Sequence, residues 1–547
     1  MLKLKDLSLL ENRRELSLLP EGKVLINTIN AHSYNTAQKD LLFAEALHKT
    51  KSFPFPMKLY SLLSLTPLLS FSPILAQERT DSLSFRMETA VVASNGDDAP
   101  LWLTANRYGM GSNAARSAYL RAGAAWQKEM KKNWRIGLGL DLAGGKNLAS
   151  KVWLQQAYAD ISWKMLTLSI GSKERAGFPL EKNERLTSGW MVEGTNMRPI
   201  PQIRGEIKEY LAIPGTRGWV AFKGHLCYGY FTDGNWQKDF VAPGNEFTRK
   251  VLYHSKSLMI RLGNREKLPV EFEFGLLTAA QFGGDRMKKN ADGSVSLLRD
   301  MPEGLKDFWK IFFPKQQSTL QNVQGNHCGS WNFGLNYYVG DWRLRAYLEH
   351  YFEDHSQMFW QYGRWKDGHI GLEVSLPRNH WVSSVVWEGL NTTDQTGPIL
   401  YDGIAGSFPD LQMSGRDNYY TNGEYLGWQN YGASLGHPFL LGPQYNRDGK
   451  NEIKGCRVKA QHLGLEGTPA EEWGWRLLFS YARNWGSYVD PFDEVKKQFS
   501  SLAEVTYLPV WSKGWSISLS LGMDRGDYPG NSTGGMLTVR WKGGFSL

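Results

Sequence analysis

The stretch Gly415-Arg416-Asp417-Asn418-Tyr419-Tyr420-Thr421-Asn422-Gly423-Glu424-Tyr425-Leu426-Gly427-Trp428-Gln429-Asn430-Tyr431 sets flat aromatic rings beside amide, carboxylate and guanidinium groups. Sugars present apolar C–H faces that stack on such rings, and hydroxyls that need planar hydrogen-bond partners. The combination is a candidate glycan surface, with Arg416, Asp417, Asn418, Tyr419, Tyr420, Trp428 and Tyr431 as the expected contacts. The same composition also suits a packed loop whose amides satisfy its own backbone, and that reading stands beside the first.

Other groupings that resemble chemistry fall short of it. Gly137-Leu138-Gly139 followed by Gly144-Gly145 lacks the spacing and the following helix of a nucleotide loop, and reads as strand glycines. His327, Cys328 and Ser330, with Asp285 upstream, have no G-x-S-x-G elbow. His350 and His355 flank Glu353 and Asp354 without the spacing of a zinc-protease helix. Cys227, Cys328 and Cys456 are an odd, scattered set with neither metal-ligand spacing nor a disulfide framework. No catalytic residue, metal or cofactor is expected.

The elements that must carry these residues show a period of two. In Trp515-Ser516-Ile517-Ser518-Leu519-Ser520-Leu521-Gly522-Met523-Asp524 every odd residue is large and apolar and every even one small or polar. The pattern recurs in Trp134–Leu142, in Leu258/Ile260/Leu262, in Phe272/Phe274/Leu276, in Trp331/Phe333/Leu335/Tyr337, in Ile370/Leu372/Val374 and in Trp473/Trp475/Leu477/Phe479/Tyr481. Alternation puts each apolar set on one face of a strand. A β-sandwich would alternate too. Arg, Asp and Glu in mid-strand on the polar face, and Trp and Tyr near strand ends, favour a transmembrane antiparallel β-barrel with a wet lumen and aromatic girdles. Length allows roughly 16 to 22 strands. Leu537, Val539, Trp541, Phe545 and Leu547 alternate as a closing strand of the kind read by the barrel-insertion machinery.

The barrel follows an export signal. Met57-Lys58-Leu59 through Ala76 is a cation and an apolar run broken by Pro67 and Pro73, laid out as a secretory signal peptide with cleavage near Ala76-Gln77. Residues 1–56 then read as an upstream extension of the gene, and 77–547 as the barrel domain of a Gram-negative outer-membrane protein. Charge is dispersed (63 Lys+Arg against 54 Asp+Glu, net +9), with no stripe for nucleic acid. Two long insertions stand out. Residues 285–326 hold a short amphipathic helix around Leu305-Lys306-Asp307-Phe308-Trp309-Lys310-Ile311-Phe312-Phe313, ended by Pro314. Residues 388–459 are poor in strands. Both are expected to cap or plug the barrel.

Several short segments, in this order, resemble the capsule-assembly Wzi family in its Bacteroidetes-type form: Pro100–Gly109, Ser188-Gly189-Trp190 running on to Arg198–Arg204, Tyr228–Asp233, Gly325–Trp331, Asp417–Tyr420 and Gly436-His437-Pro438-Phe439. The resemblance implies a barrel of about eighteen strands, a lumen occluded by loops and short helices, and a non-enzymatic, lectin-like role. In that role the protein binds capsular or other surface polysaccharide and helps to assemble or attach the capsule, with outer-membrane lipids as its surroundings. Two alternatives stay open: a diffusion pore whose selectivity is set by Arg135, Asp141, Arg343, Arg345 and Glu349, and an outer-membrane hydrolase of lipid or glycan, which would need a compact Ser/His/acid or paired-carboxylate cluster.

Overall fold

The computed structural model describes residues 81–314, 324–353, 355–358, 366–397 and 415–546. The expected upstream extension and signal peptide lie outside these residues. Eighteen antiparallel strands form one closed sheet. They are β1 (Asp81–Asp98), β2 (Ala114–Met130), β3 (Trp134–Lys146), β4 (Val152–Trp163), β5 (Leu166–Ser172), β6 (Gln202–Ala212), β7 (Val220–Tyr230), β8 (Leu252–Leu262) and β9 (Val270–Phe282). The second half is β10 (Asn326–Val339), β11 (Trp342–Phe352), β12 (Gly368–Ser375), β13 (Ser384–Asn391), β14 (Val458–Ala470), β15 (Trp473–Gly486), β16 (Pro491–Tyr507), β17 (Trp515–Gly526) and β18 (Ser532–Ser546). Each pairs with its neighbour in sequence, and β18 closes on β1 in register from Ser82↔Ser546 to Ser94↔Gly534. Closure leaves no unpaired edge, the condition for backbone to cross lipid as strands.

The alternation read from the sequence is the alternation of the wall. Leu138, Leu140 and Leu142 on β3 and Ile517, Leu519 and Leu521 on β17 are exposed on the outside, while Asp141 and Ser520 between them are buried in the lumen. Inward charges meet in pairs, across neighbouring strands for Arg476 with Glu504 (2.9 Å), Arg540 with Glu88 (2.6 Å) and Arg121 with Asp141 (2.5 Å), and across the intervening β10 for Arg345 with Glu273 (2.8 Å). An unpaired charge in that position would keep the full cost of losing its water.

The two ends of the barrel differ. At one end the turns are short, among them residues 131–133, 164–165, 340–341 and 471–472, and both ends of the described chain lie there. The other end carries 99–113, 173–201, 231–251, 283–325, 353–367 and 392–457. Three of these long connections turn inward. The first holds α1 (Leu101–Thr104), whose Leu101, Trp102 and Leu103 are buried, with Trp102 Nε1 donating to Ser480 Oγ at 3.1 Å. The second (173–201) and the described part of the third (415–457) pack against it and against the inner wall as one apolar cluster that includes Met191, Tyr351, Tyr419, Trp428 and Leu440.

The connection 283–325 does something else. Its strands 284–289 and 295–301 join 246–249 in a three-stranded sheet beside α2 (Gly234–Phe240). Its helix α3 (Leu305–Phe312) packs on the outer face of the wall, against Tyr228, Phe282 and Ala280. Residues 415–457 thus pack inside the barrel, whereas α3 lies on its outer wall. The reason is strand parity. On β9 the even residues point outward, and Ala280 and Phe282 meet Ile311 and Phe308, while Gln281 points inward and donates to Gly427 O of the plug at 3.3 Å.

Candidate functional site

The residues expected to bind glycan sit mostly inside the plug. Tyr419, Tyr420 and Trp428 are at most 1% exposed. Trp428 Nε1 donates to Val192 O at 2.8 Å, Tyr419 OH donates to Asp367 Oδ2 at 3.1 Å, and Tyr420 OH donates to Met191 O. The two tyrosine rings pack edge-on to Tyr351 on β11 and the Trp428 ring packs against Tyr253 on β8, so no face is left on which a sugar can stack. Burial raises the hydroxyl pKa of both tyrosines well above the ordinary value. Asn418 accepts from Cys456 Sγ at 3.0 Å, and the Asp417 N–H donates to Gln395 O at 2.8 Å. Arg416 pairs by its backbone with Thr396.

Tyr431 differs from the rest. It is only partly buried, its hydroxyl donates to Thr232 O at 2.9 Å, and the Arg198 guanidinium lies 3.8 Å over its ring. Arg198 is stacked in turn on Trp153 of β4 (4.6 Å) and donates to Ser150 Oγ at 3.0 Å. The Trp153–Arg198–Tyr431 stack thus ties the wall and the 173–201 and 415–457 connections together at the long-loop end. Desolvation lowers the Arg198 pKa to about 10.

Deeper in the lumen the plug is latched to the wall by a polar cluster. Glu388 on β13 accepts from Ser188 Oγ (2.5 Å), Ser188 N (2.6 Å) and Thr187 Oγ1 (2.6 Å). His369 on β12 and His437 of the 415–457 connection approach Ser188 Oγ at 3.2 and 3.1 Å. Lys182 pairs with Glu349 on β11 at 3.0 Å, and both side chains are out of solvent. Serine, two histidines and a carboxylate together are the set a hydrolase would use, but the proton directions oppose it. His369 Nδ1 faces the Lys182 ammonium at 2.8 Å and His437 Nδ1 faces the Phe439 N–H at 3.3 Å, so both rings accept there and present Nε2–H to the serine. Neither offers a lone pair to take the serine proton, as a general base must. Ser188 is 1% exposed and Gly189 beside it, at φ 146°, lies under the Pro438 ring, where a Cβ would come within 2.7 Å of Cδ.

Of the residues considered for a pore, Asp141, Arg345 and Glu349 are each spent on a partner, as above, and Arg343 pairs with Glu373. Arg135 is exposed near the short-turn end of β3. Of the histidines set aside at first, His327 faces outward, with Nε2 3.0 Å from Gln324 O. His350 Nδ1 donates to Asp367 O at 2.8 Å.

The open concavity at the long-loop end is a cleft of about 600 Å³ between the 231–251 connection and the sheet of residues 284–301. Tyr230, half exposed, supplies a ring; Asn235, Lys238, Arg249 and Lys250 supply donors, and Glu303 an acceptor. Arg249 and Lys250 also lean on Asp285 at 2.8 and 3.8 Å. Thr232, which anchors Tyr431, belongs to the same lining. No alternation or repeat marks these residues in the sequence. They come together only because two connections, 231–251 and 283–325, meet at one rim.

No family model matches the chain, and no curated protein is similar to it at a significant level. Among solved structures it is similar to Wzi of Escherichia coli, described as an outer-membrane protein involved in group 1 capsule assembly and a carbohydrate-binding β-barrel (14% identity, 83% of each chain, TM-score 0.52). Acinetobacter baumannii OccAB4 is also similar (9% identity, 86% of this chain and 99% of that one, TM-score 0.43), as is OccK3 of Pseudomonas aeruginosa (9%, 85% and 96%, TM-score 0.42). At these identities the likeness to Wzi is one of architecture: the chain folds as an eighteen-stranded β-barrel of the outer-membrane type.

Proposed function

We propose that this barrel is a non-enzymatic surface receptor that holds a capsular or other extracellular polysaccharide at its long-loop end and so assists attachment of the polymer to the cell. Outer-membrane barrels carry short periplasmic turns and longer extracellular loops, which puts the cleft outside the cell. The observation that carries the reading is the contrast between lumen and rim. The lumen is filled by buried aromatics and latched by buried charge, while the rim keeps an open cleft with an exposed ring beside cationic and amide donors. Rings and planar donors suit sugar faces and hydroxyls, and ammonium and guanidinium groups suit uronate or phosphate substituents. The similarity to Wzi, described as carbohydrate-binding, agrees with this reading. The buried Ser188 cluster, with its serine held by Glu388, supports a structural latch over a hydrolase.

Binding of polysaccharide from the producing cell to the purified barrel tests the proposal. Replacing Lys238, Arg249 and Lys250 together by alanine is expected to weaken binding roughly tenfold or more, the cost of one or two charge-assisted hydrogen bonds. A deletion strain is expected to make capsule that detaches into the medium. Full retention of cell-bound polymer contradicts the proposal.

A further inference from the structure

Parity places three polar side chains on the outside of the wall where lipid belongs. On β8 the odd residues point inward, since Arg261 pairs with Glu271 and Tyr253 packs against the plug residue Trp428, so His254 and Lys256 point outward with Leu258, Ile260 and Leu262. On β10, Asn326 bonds the inward Gln281, and His327 points out. From Leu262 to Lys256 and His254, a strand tilted by about 40° climbs roughly 15–20 Å, inside an apolar band about 25 Å tall. An uncovered ammonium there is costly.

Helix α3 covers Lys256 and His254, and His327 bonds Gln324 O. Phe312 lies over Lys256, with its ring centroid 4.2 Å from Nζ, and next to His254 (5.8 Å). Lys256 Nζ donates to Phe312 O, so the cation ends the helix where carbonyls lack partners. Tyr228 OH donates to Phe308 O at 3.2 Å, and Ile311 is buried against Ala280 and Phe282. The far side of the helix is apolar again. Leu305, Trp309 and Phe313 follow at i, i+4 and i+8 with 87%, 68% and 57% exposure, and the Trp309 and Phe313 rings are parallel. Lys306 and Lys310 border this face and stay exposed.

We infer that α3 is an outer brace embedded in the lipid, with Leu305, Trp309 and Phe313 in the acyl layer of the outer leaflet and Lys306 and Lys310 at the anionic headgroups. Two observations choose lipid as the occupant. The face continues the apolar band that the strands around it present, and its bordering charges are those of an interfacial helix. Glu303, which lines the cleft, stands two residues before this helix, so the brace fixes one wall of the cleft relative to the membrane. The inference does not rest on what the cleft binds.

Nitroxide labels on single cysteines introduced at 305, 309 and 292 test it, since the three native thiols are buried and unpaired. In phosphatidylcholine vesicles, the ratio of oxygen to nickel-chelate accessibility is expected to be at least several-fold higher at 305 and 309 than at the exposed position 292. Equal ratios overturn the inference. The double variant L305D/W309D, altered only at exposed positions, is expected to speed proteolysis within residues 284–301 by about tenfold in the same vesicles. An unchanged rate also overturns it.

Discussion

Residues 415–457 and residues 283–314 leave the same end of the same barrel and are both rich in aromatic and charged side chains, yet one fills the lumen and the other lies on the outer wall. The inner segment is polar where it meets the wall, because the inner wall is polar. Gln281 of β9 donates to Gly427 O at 3.3 Å, Asn484 of β15 donates to Gly455 O at 3.1 Å, and His437 packs edge-on to His369 of β12. The outer segment meets an apolar wall with Phe308 and Ile311 and turns further apolar groups outward. The face of the strands that each connection lands on decides what its aromatics are for.

Removing one connection at a time should break the symmetry most visibly. Replacing 415–457 by a short linker is expected to give a barrel that conducts ions in planar bilayers, while removing 284–314 is expected to leave it closed. Next in size is the latch. Lys182→Met strands Glu349 without its buried partner and should cost about 3–5 kcal/mol in denaturant unfolding. Two tryptophans then sharpen the comparison. Trp428→Ala empties a fully buried site and should cost about 3–5 kcal/mol, whereas Trp309→Ala in detergent should stay within about 0.5 kcal/mol.

The smallest effect is on pH. Burial holds the His437 pKa well below its ordinary value of about 6.5. An unfolded plug takes up a proton there while the folded plug does not, so this contribution is present at pH 7.5 and declines as pH falls below about 6.5. Burial raises the carboxyl pKa of Asp233 and Asp367, which act in the opposite sense. The difference between wild type and His437→Gln therefore isolates the histidine: from pH 7.5 to 5 the unfolding midpoint of the variant should fall by less than that of the wild type, or rise by more.

The wall was legible because period-two alternation is a local signal, repeated in strand after strand from Leu83 to Phe545. The filled lumen was legible from the length of the 388–459 insertion and from the resemblance of scattered short segments, and the structure shows why those segments are short. Ser188-Gly189-Trp190 and Gly436-His437-Pro438-Phe439 pack on one another across the plug interface, with Pro438 over Gly189. Arg198 and Tyr431 likewise stack from distant positions. The aromatic-amide run at 415–431 looked like a ligand surface because a buried loop needs the same groups to satisfy its backbone. Composition alone does not separate the two. The rim cleft had no signature, since its residues come from separate connections with no common period.

Single-channel recording of the intact protein in planar bilayers tests the central claim most directly, because receptor and pore differ first in whether the lumen is filled. The account predicts no steady, long-lived conductance for the wild type under conditions where the variant lacking 415–457 conducts. Open channels of porin-like lifetime in the wild type would contradict it.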